Sequence, residues 1–567
     1  MYFLGINAFS HDSSAAIVDG DGVPVAAVEE ERFTRRKRES RFPIESIRYC
    51  LAAAGIDSTE LAGIAFGWSP YHFAFGRLLR SNLIDYPVGF ANYRKSCARL
   101  HNMIGLRARF LREIGSLRDQ CVVTAYRHHL CHASSAYFAS SFEEAAYLTV
   151  DGRGERDATT WGIGQTVGLT QLGSCHFPHS LGKLHSSVSR YLGFHGADKS
   201  GAVMALAAHG QSSLISKFRE LVFWDAAEGP GSFRLNSTYF DLKDIARPSA
   251  LMQRLFGALP REENAALTDF HRDVAATLQL VTQELLVSFA SSLRNITRLD
   301  QLVMAGGVAL NTVANGIILD RAGYRDIFIQ PAAHDAGLSL GAALLLSRRR
   351  QPNNPRWRMR SAALGPEYDD AHIESVLSGR SGLVVRKTRD PAHEAASRIA
   401  QGDVVGWFQG RLEFGPRALG QRCLLADPRS PKIKDRLNRI KGRESFRPFA
   451  IAILANYANT WLQRGTESPF MQLVDSIKEE YHRQIPGALH VDNSVRVQTV
   501  QAAALPLFHS LLGHFYRITK IPLLISTSLN IRGEPLACTP VDAIRVLMES
   551  DVDSLVIGGF VLTRQGE

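Results

Sequence analysis

Two strand–turn–strand signals, each built around acid–glycine pairs, set the first limit on the fold. Residues 2–8 are apolar, residues 15–18 form a second apolar run, and Asp19-Gly20-Asp21-Gly22 between that run and residues 23–28 predicts a tight hairpin. The pattern returns at residues 146–150, Asp151-Gly152-Arg153-Gly154 and residues 158–164. Later, residues 301–304 lead into Ala305-Gly306-Gly307-Val308-Ala309-Leu310-Asn311, a strand that ends in a glycine turn before a helix. Recurring strand-plus-glycine units predict two similar α/β halves facing each other across a nucleotide cleft. No short-period repeat occurs, which excludes a solenoid.

At 567 residues the chain is too long for one ordinary core. Residues 347–360, SRRRQPNNPRWRMR, are polar, basic and proline-containing and read as a linker after an apolar helix over 338–346. The expected division is a first domain at 1–346, a linker at 347–366 and a second domain at 367–567. Within the first, residues 70–120 become basic and helical in periodicity, with Tyr71, Phe73 and Phe75. They read as an insertion over a cleft or, equally, as an ordinary helical layer. The net charge of +10 is concentrated at residues 32–41 and 348–360; such runs are usually solvated faces, and phosphorylated small substrates would use the same arginines as nucleic acid. Seven scattered cysteines without a CxxC pair suit reduced thiols in the cytoplasm. The chain opens as an apolar strand without a basic leader, and no later apolar run is expected to reach the roughly 18–20 residues of a membrane span.

His128-His129-Leu130-Cys131-His132 places His128 and His132 four residues apart. On a helix both imidazoles share a face and could share a divalent metal, whereas His129 points about 100° away. Asp151 stands at the second strand–glycine turn, and Asp335 stands just before a helix, where it could equally be an N-cap. A His2Asp2 set suits Fe(II), Zn(II) or Mn(II). The polar turn Ser10-His11-Asp12-Ser13-Ser14 offers a histidine as general base, although Asp12 and the serines could simply serve the turn.

In the second half, GRLEFGPRALGQR at residues 410–422 alternates glycine and arginine, followed by Lys441, Arg443, Arg447 and Arg496, then Ser526, Ser528 and Asn530 after an apolar strand. Glycines let backbone approach a ligand closely, and guanidinium forks match phosphate oxygens, so the pattern points to a polyanion site. There is neither a GxxxxGK[ST] P-loop nor a GxSxG elbow.

SHDSSAAIVDG, AAVEEERFTRRK, HHLCHASSAYFASSF, TVDGRGE, PHSLG, AGGVALNTVANG, GRLEFGPRALGQR, FRPFA, HVDNSVRVQTV and STSLNIRGEPLACTPVDAI run in order along nearly the whole chain. Together they resemble the O-carbamoyltransferases that modify nodulation factors, cephamycin and tobramycin. The resemblance implies an α/β protein with an N-terminal two-lobed domain of the actin/sugar-kinase type (Kae1-like) and a C-terminal YrdC-like α/β domain. It implies formation of carbamoyl adenylate from carbamoyl phosphate and ATP, with Mg2+ accompanying ATP, then transfer to a hydroxyl of a small-molecule natural product. By the same resemblance His128, His132, Asp151 and Asp335 would hold Fe(II) or another divalent metal, and Gly306, Gly307 and Asn311 would line the carbamoyl adenylate. His11 and Asp12 would be catalytic, and Glu29 and Arg32 would bind the acceptor. Arg417, Lys441, Arg447, Arg496, Ser526, Ser528 and Asn530 would bind carbamoyl phosphate and ATP. Two departures stand out: residues 202–210 read AVMALAAHG where the family commonly shows KVMGLAPYG, and Ser526 replaces a usual asparagine. No nucleic-acid or membrane partner is expected. Two rival readings stay open: a tRNA threonylcarbamoyl-type transferase, and a non-catalytic nucleotide- or metal-binding regulator.

Overall fold

The computed structural model describes residues 1–85, 90–196, 199–225, 229–241 and 247–566; residues 86–89 of the expected helical insertion lie outside them. The chain divides into two compact units, Met1–Glu30 with Ser40–Met359, and Glu31–Glu39 with Arg360–Glu567.

The first unit contains one topology twice. In its first lobe β1 (Tyr2–Asn7), β2 (Ser14–Val18) and β3 (Pro24–Glu29) form an antiparallel meander, and β4 (Leu61–Phe66) and β5 (Val122–Ala125) add on in parallel, giving the order β3-β2-β1-β4-β5. The Asp19 carboxylate shapes the predicted hairpin, accepting from the Asp21 and Val23 amides at 2.9 Å each. In the second lobe β6 (Ala145–Val150), β7 (Asp157–Gln165) and β8 (Gly168–His176) form the meander, and β9 (Gln301–Ala305) and β10 (Asp326–Ile329) run parallel to β6. The order β8-β7-β6-β9-β10 repeats that of the first lobe.

Helix α1 (His128–Tyr137) follows β5, α2 (Asp269–Thr297) precedes β9, and α3 (Gly337–Arg350) follows β10. Glycine is required where α3 packs: a Cβ on Gly5 would sit 1.8 Å from the Ser339 carbonyl, and one on Gly341 would sit 1.9 Å from that of Cys131. Buried α3 is therefore clamped between β1 and α1, fixing the two elements that carry His11 and the histidine pair. Among the described residues α2 has the length and apolar composition of a membrane span, with 67% of its apolar window buried inside the protein. Polar residues interrupt its apolar run, so it does not stand out in the sequence. The basic stretch after α3 is engaged by the first unit: Arg356 lies 4.0 Å over the Tyr137 ring and donates to the Tyr137 carbonyl at the end of α1 and to the Phe142 carbonyl beyond it.

The second unit is one mixed sheet. Its strands are β11 (Leu383–Lys387), β12 (Val405–Phe408), β13 (Arg422–Ala426), β14 (Ala450–Leu454), β15 (Leu473–Ser476), β16 (Ser494–Val500), β17 (Leu523–Ser528), β18 (Ser554–Ile557) and β19 (Phe560–Arg564), in the order β11-β19-β18-β12-β13-β17-β14-β16-β15. The early segment Glu31–Glu39 joins this unit through Arg35, which donates to the Leu536 and Pro535 carbonyls at 2.6 and 2.9 Å and pairs with Asp542 at 3.2 Å. The two-domain α/β architecture expected from the sequence is the one observed.

Candidate active site

In the first unit the candidate residues gather beyond the carboxyl ends of β1, β5, β6, β9 and β10, where open α/β sheets bind ligands. His128 and His132 lie on α1 with their Nε2 atoms 3.1 Å apart. His128 Nε2 is 3.4 Å from Asp151 Oδ2, and both histidines are 3.8 Å from Asp335 Oδ1. All four residues are buried, and one ligand atom from each lies within 4.8 Å of the others. Asp335 is not the N-cap of α3, a position held by Ala336; its Oδ1 is a buried oxygen without a hydrogen-bond donor. His129 is excluded from the cluster because its ring nitrogens meet Thr149 Oγ1 at 2.8 Å and the Asp157 carbonyl at 3.0 Å.

Two imidazole nitrogens in contact and two buried carboxylates make a donor set that fits a divalent cation. The electrostatics agree. Burial opposes charge on His128, yet Asp335, Asp151 and Glu155 outweigh it and raise its pKa. Burial and the neighbouring His128 lower that of His132. Burial would raise both carboxylates, but the histidines hold Asp151 well below its ordinary range, and His11 with His128 lowers Asp335.

Two residues overlooked in the sequence build this cluster. Glu155 accepts from the backbone amides of His128 (3.1 Å) and Ser69 (2.9 Å), capping α1 at its histidine end. Buried Asn7 donates to the His11 and Asp12 carbonyls at 3.2 and 2.9 Å and accepts from Trp68 Nε1 at 3.1 Å, pinning the turn that presents His11. A polar residue closing an apolar strand just before SHDSS was the available signal for Asn7.

His11 Nδ1 is 2.8 Å from Asp12 Oδ2 and 3.6 Å from Asp335 Oδ2. With Nδ1–H donating to Asp12, the lone pair of the neutral ring sits on Nε2. Glu29 ends β3, buried and in register with Ser14. Arg32 belongs to the second unit, where it donates to the Gly415 carbonyl at 2.7 Å and the Glu31 carboxylate at 3.1 Å. Gly306 has φ +93°, and a Cβ there would lie 2.3 Å from the Val150 carbonyl. The Gly307 amide donates to Asp151 Oδ1 at 2.9 Å, tying the glycine turn to a cluster carboxylate. Asn311 N-caps helix Thr312–Arg321 and exchanges hydrogen bonds with Gln279 at 3.0 and 3.1 Å.

In the second unit the glycine–arginine motif separates into scaffold and site. Glu413 Oε1 accepts from the Leu419, Gln421 and Arg422 amides at 2.7, 2.9 and 3.1 Å and folds the loop. Arg411 donates to the Leu364 and Gly365 carbonyls. Arg422 is fully buried over Phe408, donating to the Gln409, Gly410 and Pro366 carbonyls. Arg417 makes no such commitment: its buried Nε has no partner among the described residues, and the same holds for Arg496 Nε.

Arg417, Arg443, Arg447 and Arg496 press upon one another. Burial and Arg447 bring Arg417 down to about 10 and Arg443 to about 9, while burial and the other three arginines carry Arg496 well below its ordinary value. Arginines stay charged at neutral pH, so an anion placed among them would relieve both their burial and their mutual repulsion. The carboxylate among them is Glu444, 3.6 Å from Arg447. Arg496 and Ser526 share a register row across the sheet with Ala450 between them, which puts their side chains on one face. Lys441 is spent locally, donating to the Ser528 and Asn530 carbonyls at 2.7 and 2.8 Å and to the Asn530 side chain. Ser528 Oγ donates to Asn530 Oδ1 at 2.7 Å, so Lys441, Ser528 and Asn530 form one hydrogen-bonded group.

Two family descriptions fit the chain: "Carbamoyltransferase N-terminus" matches residues 2–344 and "Carbamoyltransferase C-terminus" matches residues 396–564. Nodulation protein NolNO of Sinorhizobium fredii is 34% identical over 99% of this chain and 80% of its own length. The uncharacterized protein sll1178 of Synechocystis is 38% identical, covering 100% of this chain and 97% of its own. The 3'-hydroxymethylcephem-O-carbamoyltransferase of Streptomyces clavuligerus is 31% identical over 63% of each chain. With both halves matched, and a cluster in the first that can coordinate a divalent metal, the chain belongs to the carbamoyltransferase family and is an O-carbamoyl-transferring enzyme.

Proposed function

We propose that the protein is an ATP-dependent O-carbamoyltransferase that works through carbamoyl adenylate and delivers the carbamoyl group to a hydroxyl of a small-molecule natural product. In the second unit carbamoyl phosphate gives up phosphate to water, and the carbamate oxygen attacks the α-phosphorus of ATP, with Mg2+ accompanying the nucleotide. The P–O bond to pyrophosphate breaks and carbamoyl adenylate forms. In the first unit the acceptor oxygen attacks the carbamoyl carbon, the bond to AMP breaks, and the products are a carbamate ester and AMP.

The observation that carries this reading is the convergence of Arg417, Arg443, Arg447 and Arg496, which suits a substrate pair rich in phosphate. Ser526 and the hydrogen-bonded group of Lys441, Ser528 and Asn530 complete that face. In the first unit Asp12 fixes the His11 tautomer, so Nε2 takes the proton of the acceptor hydroxyl. Glu29 at the end of β3 orients the acceptor. The Gly306–Gly307 turn and Asn311 line the nucleotide, and the bond from Gly307 to Asp151 keeps that turn in register with the cluster. A divalent ion, Fe(II) by family resemblance, held by His128, His132, Asp151 and Asp335, would supply Lewis-acid stabilisation to the leaving phosphate.

The names of the nodulation and cephem relatives support a small-molecule acceptor. Use of ATP and carbamoyl phosphate fits the cytoplasm. The reading is tested by incubating the protein with divalent metal, ATP and carbamoyl phosphate. Pyrophosphate and a mass matching carbamoyl adenylate are expected. Neither appearing after metal reconstitution would favour the regulator.

A further inference from the structure

We propose that Arg77 and Arg99, with Arg153 beside them, form a subsite in the first unit for an anionic group, a carboxylate or phosphate, carried by the hydroxyl acceptor. The inference rests on the carbamoyl-transfer reading above and adds to it the class of acceptor.

The three arginines come from different parts of the chain and approach the metal-type cluster through short links. Arg77 and Arg99 lie 5.2 and 5.3 Å over the buried ring of Phe73. Arg99 also lies 4.1 Å over Trp68, and the Trp68 ring stands 4.2 Å from that of His128, so one indole separates a guanidinium from a cluster imidazole. Arg77 Nη1 donates to the Gly154 carbonyl at 3.3 Å, and Gly154 packs so closely on His128 that a Cβ would meet its ring at 3.1 Å. The Arg153 amide faces Asp151 Oδ2 at 3.4 Å, and its guanidinium lies 3.9 Å over Phe177.

Stacked on rings, the guanidiniums of Arg77 and Arg99 leave N–H groups for other partners. Arg77 Nε, and both Nε and Nη2 of Arg99, are buried without an acceptor among the described residues. Burial is the main cause that brings Arg77 down to about 10 and Arg99 to about 9, and Arg77 adds repulsion at Arg99. Burial and the other two arginines push Arg153 well below its ordinary value. Among the described residues, the carboxylates that act on Arg77 and Arg99 are already engaged: Glu155 accepts from the Ser69 and His128 amides, and Asp335 belongs to the cluster. Arg77 and Arg99, half-buried and carrying N–H groups that no described acceptor meets, are matched by an anion from outside the protein. Arg77 and Arg99 lie between β4 and β5, in the lobe that carries His11, whereas the glycine turn assigned to the nucleotide lies after β9 in the other lobe. That placement favours the acceptor over the adenylate as the source of the anion.

The test measures binding by calorimetry to the full chain loaded with divalent metal. The probes are 4-(hydroxymethyl)benzoate, 4-(hydroxymethyl)phenyl phosphate and the uncharged 4-(hydroxymethyl)benzamide, which share an aromatic body and a hydroxyl. At least one anionic probe is expected to bind about tenfold or more tighter than the amide, with AMP present as well as absent. Arg77→Gln and Arg99→Gln, the second removing a guanidinium whose Nε and Nη2 meet no acceptor among the described residues, should each remove most of that difference. Equal binding of charged and uncharged probes, binding of none, or a preference that survives both substitutions would overturn the subsite. Displacement of the anionic probes by AMP would assign the arginines to the nucleotide and overturn it as an acceptor site. Pyrophosphate release without acceptor, read on the same preparations, separates failure of this inference from failure of the carbamoyl-transfer reading.

Discussion

The two candidate sites carry opposite charges, and each fits what it would hold. In the first unit two carboxylates and two imidazoles converge around a point that suits a cation. In the second, four arginines converge, with Glu444 3.6 Å from Arg447, and suit an anion. The difference extends to the supporting residues. The cluster is held by elements clamped through Gly5 and Gly341 and capped by Glu155, whereas the arginine pocket is held by Glu413 and Arg422 gripping backbone from inside a loop. Like charges held together at the end of a sheet are costly for folding alone. They mark where folding and ligand binding pull in different directions.

If the two sites perform separate half-reactions, substitutions in one should leave the other's chemistry intact. The largest effect is expected at His11: His11→Ala should lower carbamoyl transfer to an accepted alcohol by about 10²–10⁴-fold while pyrophosphate release persists. Equal loss of both would merge the sites and break the comparison. Next, Arg417→Ala should cut pyrophosphate release about 10²-fold through lost charge-assisted bonds, with metal content by elemental analysis unchanged.

Proton competition gives a third, smaller effect. Metal requires neutral imidazole, and His128 has a raised pKa, so its affinity for metal should fall as pH drops through that pKa, approaching about tenfold per unit below it. His132, lowered by burial, should not add to the loss in this window. A pH-independent metal affinity would remove His128 from the ligand set. The smallest effect sharpens the picture of scaffold: Glu155→Gln keeps the shape but loses the charge at the start of α1, and thermal unfolding should report about 1 kcal/mol of lost stability.

The sequence showed most clearly where chemistry and local geometry coincide. Asp19-Gly20-Asp21-Gly22 reads as a hairpin because its turn bonds are local, and the spacing of His128 and His132 reads as one helical face for the same reason. Long-range roles were hidden. Arg411, Arg417 and Arg422 are equivalent in the sequence, yet only distant carbonyls from residues 364–366 and 409–410 decide that two of them are scaffold. Arg32 lies three residues from Glu29 but belongs to the other unit, where Gly415 accepts its hydrogen bond. Arg77 and Arg99 gave no motif at all; their relation to His128 runs through the rings of Trp68 and Phe73. Asp335 was ambiguous for a milder reason: one residue separates an N-cap from a side chain that points into the cluster.

The most direct test of the two-site account is the carbamoyl-phosphate-dependent exchange of labelled pyrophosphate into ATP, which reports the reversal of carbamoyl adenylate formation and needs no acceptor. The account predicts exchange in the wild type, in His128→Ala and in metal-stripped protein supplied with Mg2+, and its loss in Arg417→Ala. Exchange that survives Arg417→Ala, or disappears in His128→Ala, would contradict it.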